Sequence, residues 1–166
     1  MTMFENENPI MPLTDDGDTG GSFPTATVLE VPVVNQRDYG DLFCFASCYL
    51  AIANYYGADI TMDQLIREGI VASNGSVTWR NNYVKKGPNI SFDVSNVDGI
   101  KLALTRGTPV IISGRSRSNE HHVVAYGFYG NTIKVMDPWE GVTGNLLSTS
   151  LVSVDNYKIC TPGTEL

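Results

Sequence analysis

The chain has 166 residues, of which 42% are hydrophobic and 17% charged, a composition typical of one globular domain with its own core. The net charge is -7 with a pI of about 4.6. Because no basic patch stands out, we expect neither nucleic acid nor an anionic membrane as a partner. No apolar run has transmembrane length, so we expect no membrane insertion. No pattern calls for a cofactor, and none indicates the oligomeric state.

Three cysteines in a chain of this size do not form a disulfide framework. We therefore expect reduced thiols. The N-terminus shows no basic segment followed by an apolar core, as a secretory signal would. Together these features predict a cytoplasmic protein, or one exported without a standard signal peptide. Residues 1–24 are polar and acidic and predict a flexible tail, which leaves residues 25–166 as the folded domain.

The first half of the domain predicts one strand and two helices. Residues 28–34 are branched and apolar and predict a strand, in which Pro32 favours an edge position. Residues 44–57 predict a helix that ends at Gly57, and apolar residues on nearly every side of it predict a buried central helix. The run Thr61-Met62-Asp63-Gln64 matches a capping box and predicts a short helix up to about residue 68.

The second half predicts mainly strands. Residues 73–89 predict mostly a loop, and Ser95, with Asp98 three positions later, predicts the start of a helix that ends before Gly107. The predicted strands are residues 90–94, 109–113, 121–127, 132–137 and 151–160, of which 121–127 and 132–137 form a hairpin. Helices followed by an antiparallel sheet give an α+β layout.

Cys44 lies where a polar loop becomes the central helix. The first N–H groups of a helix have no partner within it, and the helix macrodipole places partial positive charge there. A thiolate at this position is stabilised, so the thiol can serve as a nucleophile. The position of Cys44 therefore predicts a catalytic cysteine, provided that the rest of the chain supplies a base.

Two adjacent histidines, His121 and His122, are the only candidates for that base. They begin a predicted strand, so their side chains point to opposite faces and only one can face Cys44. Asp137 is the best candidate for the group that orients the imidazole, and a turn centred on Tyr129 would place it directly opposite His121. The helix-start N–H of Cys44 and the side-chain amide of Gln36 are candidate donors to an oxyanion.

These residues resemble a papain-like cysteine peptidase, and are most similar to the peptidase domain that processes double-glycine leader peptides. The motifs that carry the resemblance are Gln36, Cys44, Cys48, Tyr55-Tyr56-Gly57, the helix start from Thr61 to Leu65, His121-His122-Val123-Val124-Ala125-Tyr126-Gly127 and Asp137-Pro138-Trp139. The resemblance covers roughly residues 31–139. It implies a papain-like fold in which the nucleophile helix packs on a C-terminal antiparallel sheet.

The resemblance also implies an activity and its residues. The family's histidine stands six positions before the glycine that is Gly127 here, which selects His121 over His122. The implied function is a bacterial cysteine endopeptidase that acts on a peptide or protein substrate. In it Cys44 is the nucleophile, His121 the base, Asp137 its orienting carboxylate and Gln36 an oxyanion donor. The sequence itself offers no CxxC pair and no separated His pair, so we expect no metal site.

Some features depart from the family pattern. Phe45 stands where relatives usually have Gly or Trp, and Phe43 where many have Asp. Two alternatives stay open: a non-catalytic papain-like module that binds peptides, and an amidase or acyl-transferase that uses the same groups. Gly20-Gly21 is a weak candidate for self-processing, because the acidic residues before it do not fit a leader.

Overall fold

The computed structural model describes residues 24–77, 88–94, 96–116, 119–146 and 151–162. The predicted acidic tail, apart from residue 24, and most of the predicted loop at residues 73–89 lie outside these ranges. The helices are α1 (Cys44–Tyr55), α2 (Met62–Arg67) and α3 (Val97–Thr105), and a 3-10 helix covers Gln36–Asp38. The strands are β1 (Ala26–Val28), β2 (Pro88–Val94), β3 (Val110–Arg115), β4 (Glu120–Tyr129), β5 (Thr132–Asp137), β6 (Val142–Asn145) and β7 (Ser153–Pro162).

Seven strands of the described chain form one antiparallel sheet in the order β2-β7-β3-β4-β5-β6, and β1 pairs with the second half of β4. Since the second half of β4 extends beyond β3, β1 occupies the side of β4 that β3 leaves uncovered. The central strand β4 therefore has neighbours along its full length. The predicted α+β class is confirmed.

Helices cover both faces of the sheet. Along β3, Ile111 packs in the same apolar cluster as α1 and α2, whereas Val110 and Ile112 pack in the cluster that contains α3. This alternation follows from the two-residue repeat of a strand, which sends successive side chains to opposite faces. The predicted packing of α1 on the sheet is correct, and α3, which follows β2 in the chain, covers the opposite face.

Helix α1 is the buried central helix that its composition predicts. It ends at Tyr55, and Gly57 follows with φ of 88°, a left-handed conformation that glycine adopts without steric cost. At the other end the cap position is occupied by Phe43, whose side chain makes no capping hydrogen bond. The N–H groups at the start of α1, beside Cys44, are therefore not covered by a capping side chain.

Two other helix starts test the capping predictions. Thr61 and Gln64 form the reciprocal capping box at the start of α2, as predicted. The start of α3 differs from the prediction, because Asn96 rather than Ser95 is the cap residue, and its side chain accepts a hydrogen bond of 2.8 Å from the Gly99 N–H. Asn caps as well as Ser does, so the two neighbouring polar residues could not be distinguished by pattern.

The first strand is also displaced from its predicted position. The strand predicted at residues 28–34 runs instead over Ala26–Val28. The Leu29 N–H still donates to the Tyr126 carbonyl at 2.7 Å, but the Val31 N–H turns back to the Leu29 carbonyl at 3.0 Å. The chain therefore leaves the sheet before Pro32, a residue that has no N–H to give to a strand partner.

Candidate active site

The thiol of Cys44 lies against the first residues of β4. Its Sγ is 3.1 Å from Nδ1 of His121. The His122 N–H donates to the same sulfur at 3.0 Å, and the His122 carbonyl lies 3.2 Å from it, in position to accept the S–H of the neutral thiol. Side chain and main chain of two successive residues therefore surround the sulfur, which is buried.

The other nitrogen of the His121 ring contacts a carboxylate. Nε2 of His121 is 2.8 Å from Oδ1 of Asp137, and both side chains are buried. The same Oδ1 accepts the Trp139 N–H at 3.0 Å. With both ring nitrogens engaged, the orientation of the imidazole is fixed, and Cys44, His121 and Asp137 form a continuous chain of hydrogen bonds.

The register between β4 and β5 differs from the prediction. The turn consists of Gly130 and Asn131 rather than being centred on Tyr129, since Tyr129 pairs directly with Thr132. The pairing also shifts by one residue between Ala125 and Gly127. The last pair of the ladder is Val124 with Met136. Continued by one residue, this register sets Asp137 opposite Val123.

The predicted direct pairing of Asp137 with His121 is therefore wrong. Their contact is diagonal, between residues two positions apart across neighbouring strands, which side chains of this length can span. The bulge changes the register, but the hydrogen bond between the two side chains still forms.

Gln36 is buried on the loop that precedes Cys44. Its main-chain N–H donates to the Pro138 carbonyl at 2.8 Å, so the loop is attached to the turn that directly follows Asp137. Its side-chain Nε2 donates to the Asp41 carbonyl at 3.0 Å, while Oε1 is buried without a hydrogen-bond partner among the described residues. The structure thus brings Gln36 to this region, but its described side-chain bond goes to Asp41 and not to Cys44.

Exposed contacts of Arg37 also join the Gln36 loop to the turn that follows Asp137. Its guanidinium lies 5.0 Å from the centre of the Trp139 ring and pairs with the Glu140 carboxylate at 3.0 Å. Gly141, with φ of 65°, approaches Asn35 so closely that an added Cβ would lie 2.9 Å from the Asn35 Cβ. The loop that carries Gln36 and the turn that follows Asp137 are therefore held together by several contacts.

The surroundings of Cys44 and His121 favour the ionised form of each side chain. Burial alone would raise the pKa of Cys44, but hydrogen bonds from Cys48 and His121, the charge on His121 and the His122 N–H together lower that pKa to about 6. Burial likewise opposes the imidazolium of His121, yet its hydrogen bonds to Asp137 and Cys44 and their negative charges raise the pKa of His121 to about 9. At neutral pH the pair is therefore a thiolate and an imidazolium.

The other two cysteines are unlike Cys44. All three are free thiols. Burial and the neighbouring Cys44 raise the pKa of Cys48 well above its usual value, and burial raises the pKa of Cys160 to about 12. Both therefore stay protonated, as expected of cysteines that pack in the core.

Over the described ranges no cluster of three His, Cys, Asp or Glu side chains is arranged to hold a metal ion. In the same part of the chain no helix is long and apolar enough to cross a membrane.

The structure also reveals functional candidates that sequence reasoning missed. Phe45 packs edge-on against the His122 ring at 5.0 Å between centroids, and His122 in turn contacts Ser113 at 2.7 Å and, through it, Lys158. One available signal was the single Lys in the strand run Tyr157-Lys158-Ile159. A buried cation is rare unless it has partners, and here one partner, Ser113, comes from another strand.

A helix-start thiol in contact with an imidazole, which is itself bonded to a carboxylate, is the arrangement of cysteine-peptidase-type proteins. The model of the Peptidase_C39-like family matches residues 28–149, a range that contains all four predicted site residues. The chain therefore belongs to the Peptidase_C39-like family, in agreement with the resemblance seen in its motifs. No curated protein matches the chain significantly.

Proposed function

We propose that the chain is a cysteine endopeptidase that hydrolyses peptide bonds in a peptide or protein substrate. The observation that carries the proposal is the continuous hydrogen-bond chain from Cys44 Sγ through the His121 ring to Asp137. Membership of the Peptidase_C39-like family supports the same class of reaction. The net charge of -7 favours a neutral or basic peptide over an acidic one.

In the proposed mechanism the Cys44 thiolate attacks the carbonyl carbon of the scissile bond. The His121 imidazolium then gives its Nδ1 proton to the leaving amine, which departs and leaves an acyl group on the sulfur. His121, now neutral, takes a proton from water as the water attacks the thioester, and the carboxylic acid product leaves with Cys44 again a thiolate. Asp137 keeps the ring oriented through both steps.

The oxyanion that forms in each step needs donors. The main-chain N–H of Cys44 is one candidate, because no capping side chain covers this helix start. The Gln36 amide is the second. Its Nε2 carries two hydrogens, of which the bond to the Asp41 carbonyl uses one, so the other remains to donate to an oxyanion. Anchoring of the Gln36 loop to Pro138 supports a fixed position for this amide.

A cleavage profile tests the proposal. The purified chain is incubated with a library of peptides derived from a proteome, and new peptide termini are identified by mass spectrometry. We expect cleavage at a restricted set of sites, each with one new amino and one new carboxyl terminus. A peptide-binding module would generate no termini, and an acyl-transferase would leave products capped by an added amine, so either result would contradict the proposal.

The pH dependence of cleavage follows from the two ionisations. We expect kcat/KM to rise as Cys44 becomes a thiolate near pH 6 and to fall as His121 loses its proton near pH 9, because the reactive form carries both charges. The measurement is the initial rate on one cleaved peptide from pH 4 to 10. A rate that rises only above pH 8 would mean that the thiol has an ordinary pKa and that the ion pair does not form.

A further inference from the structure

A second group of polar side chains lies behind the Cys44–His121 pair, on three neighbouring strands. It consists of His122 on β4, Ser113 on β3 and Lys158 on β7. Ser113 pairs directly with His122 in the sheet, and Ser113 Oγ is 2.7 Å from His122 Nδ1. The Lys158 ammonium donates to the same Oγ and to Asn156 Oδ1, and Ser113 and Lys158 are both buried.

The chemistry of these groups fixes the direction of the bond from Lys158, and burial beside two cations favours the direction of the bond to His122. An ammonium has only donors, so Ser113 Oγ accepts from Lys158, and the hydroxyl hydrogen is free to donate to a neutral His122 ring. Nδ1 of His122 is then the acceptor, which leaves the ring neutral with its hydrogen on Nε2. Lys158 thus favours, through Ser113, the tautomer of His122 that carries its hydrogen on Nε2.

The ring of His122 is held on another side by Phe45. The two rings meet edge-on, at 68° and 5.0 Å between centroids. Phe45 directly follows Cys44 in α1. The His122 ring, which contacts both Phe45 and Ser113, therefore links the start of that helix to β3. The main-chain N–H of the same His122 donates to Cys44 Sγ at 3.0 Å.

We propose that His122 is a positioning residue: its neutral ring, held between Ser113 and Phe45, fixes the main-chain N–H that stabilises the Cys44 thiolate. The inference rests on the proposed role of Cys44 as the reactive thiol, but not on the identity of the substrate. It also explains Phe45, the departure from the family pattern that the sequence alone could not account for.

The surrounding charges agree with this geometry. Burial and the positive charges of Lys158 and His121 lower the pKa of His122 to about 4, whereas that of His121 rises to about 9. The titratable groups that face Cys44 are Cys48 on its own helix and His121 on β4. Those that face Lys158 are Cys48, Glu120, His122, Asp155 and Cys160. At neutral pH the two adjacent histidines therefore differ in charge, since His121 is a cation and His122 is neutral, and the thiolate faces a single imidazolium.

Two measurements test the positioning role. The first is NMR of the histidine rings in protein without a histidine tag, where two histidines give two assignable titrations. The second is the rate of Cys44 alkylation by iodoacetamide against pH, with the modified cysteine identified by peptide mapping. The variants are His122→Phe, which keeps a ring against Phe45 but cannot accept from Ser113, and His122→Asn, whose amide oxygen can.

We expect one wild-type histidine to stay neutral down to about pH 4 and the other to stay protonated up to about pH 9. In His122→Phe the midpoint of Cys44 alkylation should rise by about one pH unit, the size expected when a hydrogen bond to a charged group weakens. His122→Asn should restore a midpoint near that of the wild type. Ser116→Ala, a serine just beyond the end of β3, is the control and should not move it.

Ser113→Ala provides a second route if His122→Phe does not fold, and it should raise the same midpoint. An unchanged midpoint in either folded variant, or a wild-type His122 that titrates near pH 6.5, would overturn the proposal. Because alkylation needs no substrate, a shifted midpoint would support the positioning role even if no peptide were cleaved. An unshifted midpoint in a chain that does cleave peptides would reject the positioning role alone.

Discussion

Replacement of Cys44 by Ala is expected to lower the rate of peptide cleavage by at least about a thousandfold, because the variant has no group that can form the acyl intermediate. The loss should fall on kcat, since the oxyanion donors and the rest of the site are retained. The fold should survive, because the change removes one sulfur atom whose hydrogen-bond partners include His121, Cys48 and the main chain of His122.

The matched control for that variant is Cys160→Ala. Cys160 is also a buried free cysteine, and its thiol donates to the Lys158 carbonyl at 3.3 Å, with no described contact to the site sulfur. We expect it to lose some stability, as core truncations do, but to retain cleavage. Full cleavage at the same peptide sites by purified Cys44→Ala would exclude Cys44 as the nucleophile.

Replacement of His121 by Ala is expected to lower kcat/KM by about a hundredfold to ten-thousandfold, the usual contribution of a positioned acid and base. Its removal also leaves Asp137 without its ring partner and Cys44 without its counter-charge. The Cys44 thiolate should therefore form only at higher pH. Iodoacetamide labelling of Cys44 at pH 6.5 should slow markedly in the same variant.

The neighbouring residues supply the comparison for this second variant. Glu120→Gln, which changes an exposed residue at the start of the same strand, should leave cleavage unchanged. His122→Ala should lower it less than His121→Ala does, since the His122 ring contacts Ser113 and Phe45 rather than the sulfur. A larger loss in His122→Ala than in His121→Ala would mean that the base is His122 and that its assignment to His121 is wrong.

Much of the candidate site could be predicted because its signals are local. The start of α1 at Cys44, its end before Gly57 and the capping box at Thr61 each depend on a few residues that are consecutive in the chain. The choice between His121 and His122 followed from the resemblance to the family, whose histidine stands six positions before the glycine that is Gly127 here. In the structure it is the ring of His121 that contacts the sulfur.

Other features could not be predicted, because they depend on strand pairing between distant residues. The displaced first strand and the bulge after Ala125 are decided by what β4 can pair with along its length, and no short window of sequence contains that information. The predicted direct pairing of Asp137 with His121 was wrong for this reason, although the two side chains do form a hydrogen bond.

By itself, the sequence determined the class of the protein, the helix that presents Cys44 and the residue types available to it. Only the tertiary structure decided how those residues are charged. Lys158 reaches Ser113, which contacts His122, from the far end of the chain, and Asp137 reaches His121 from the next strand. The pKa of a buried group depends on which charges and donors surround it in space, so two adjacent histidines of identical chemistry become one cation and one neutral ring.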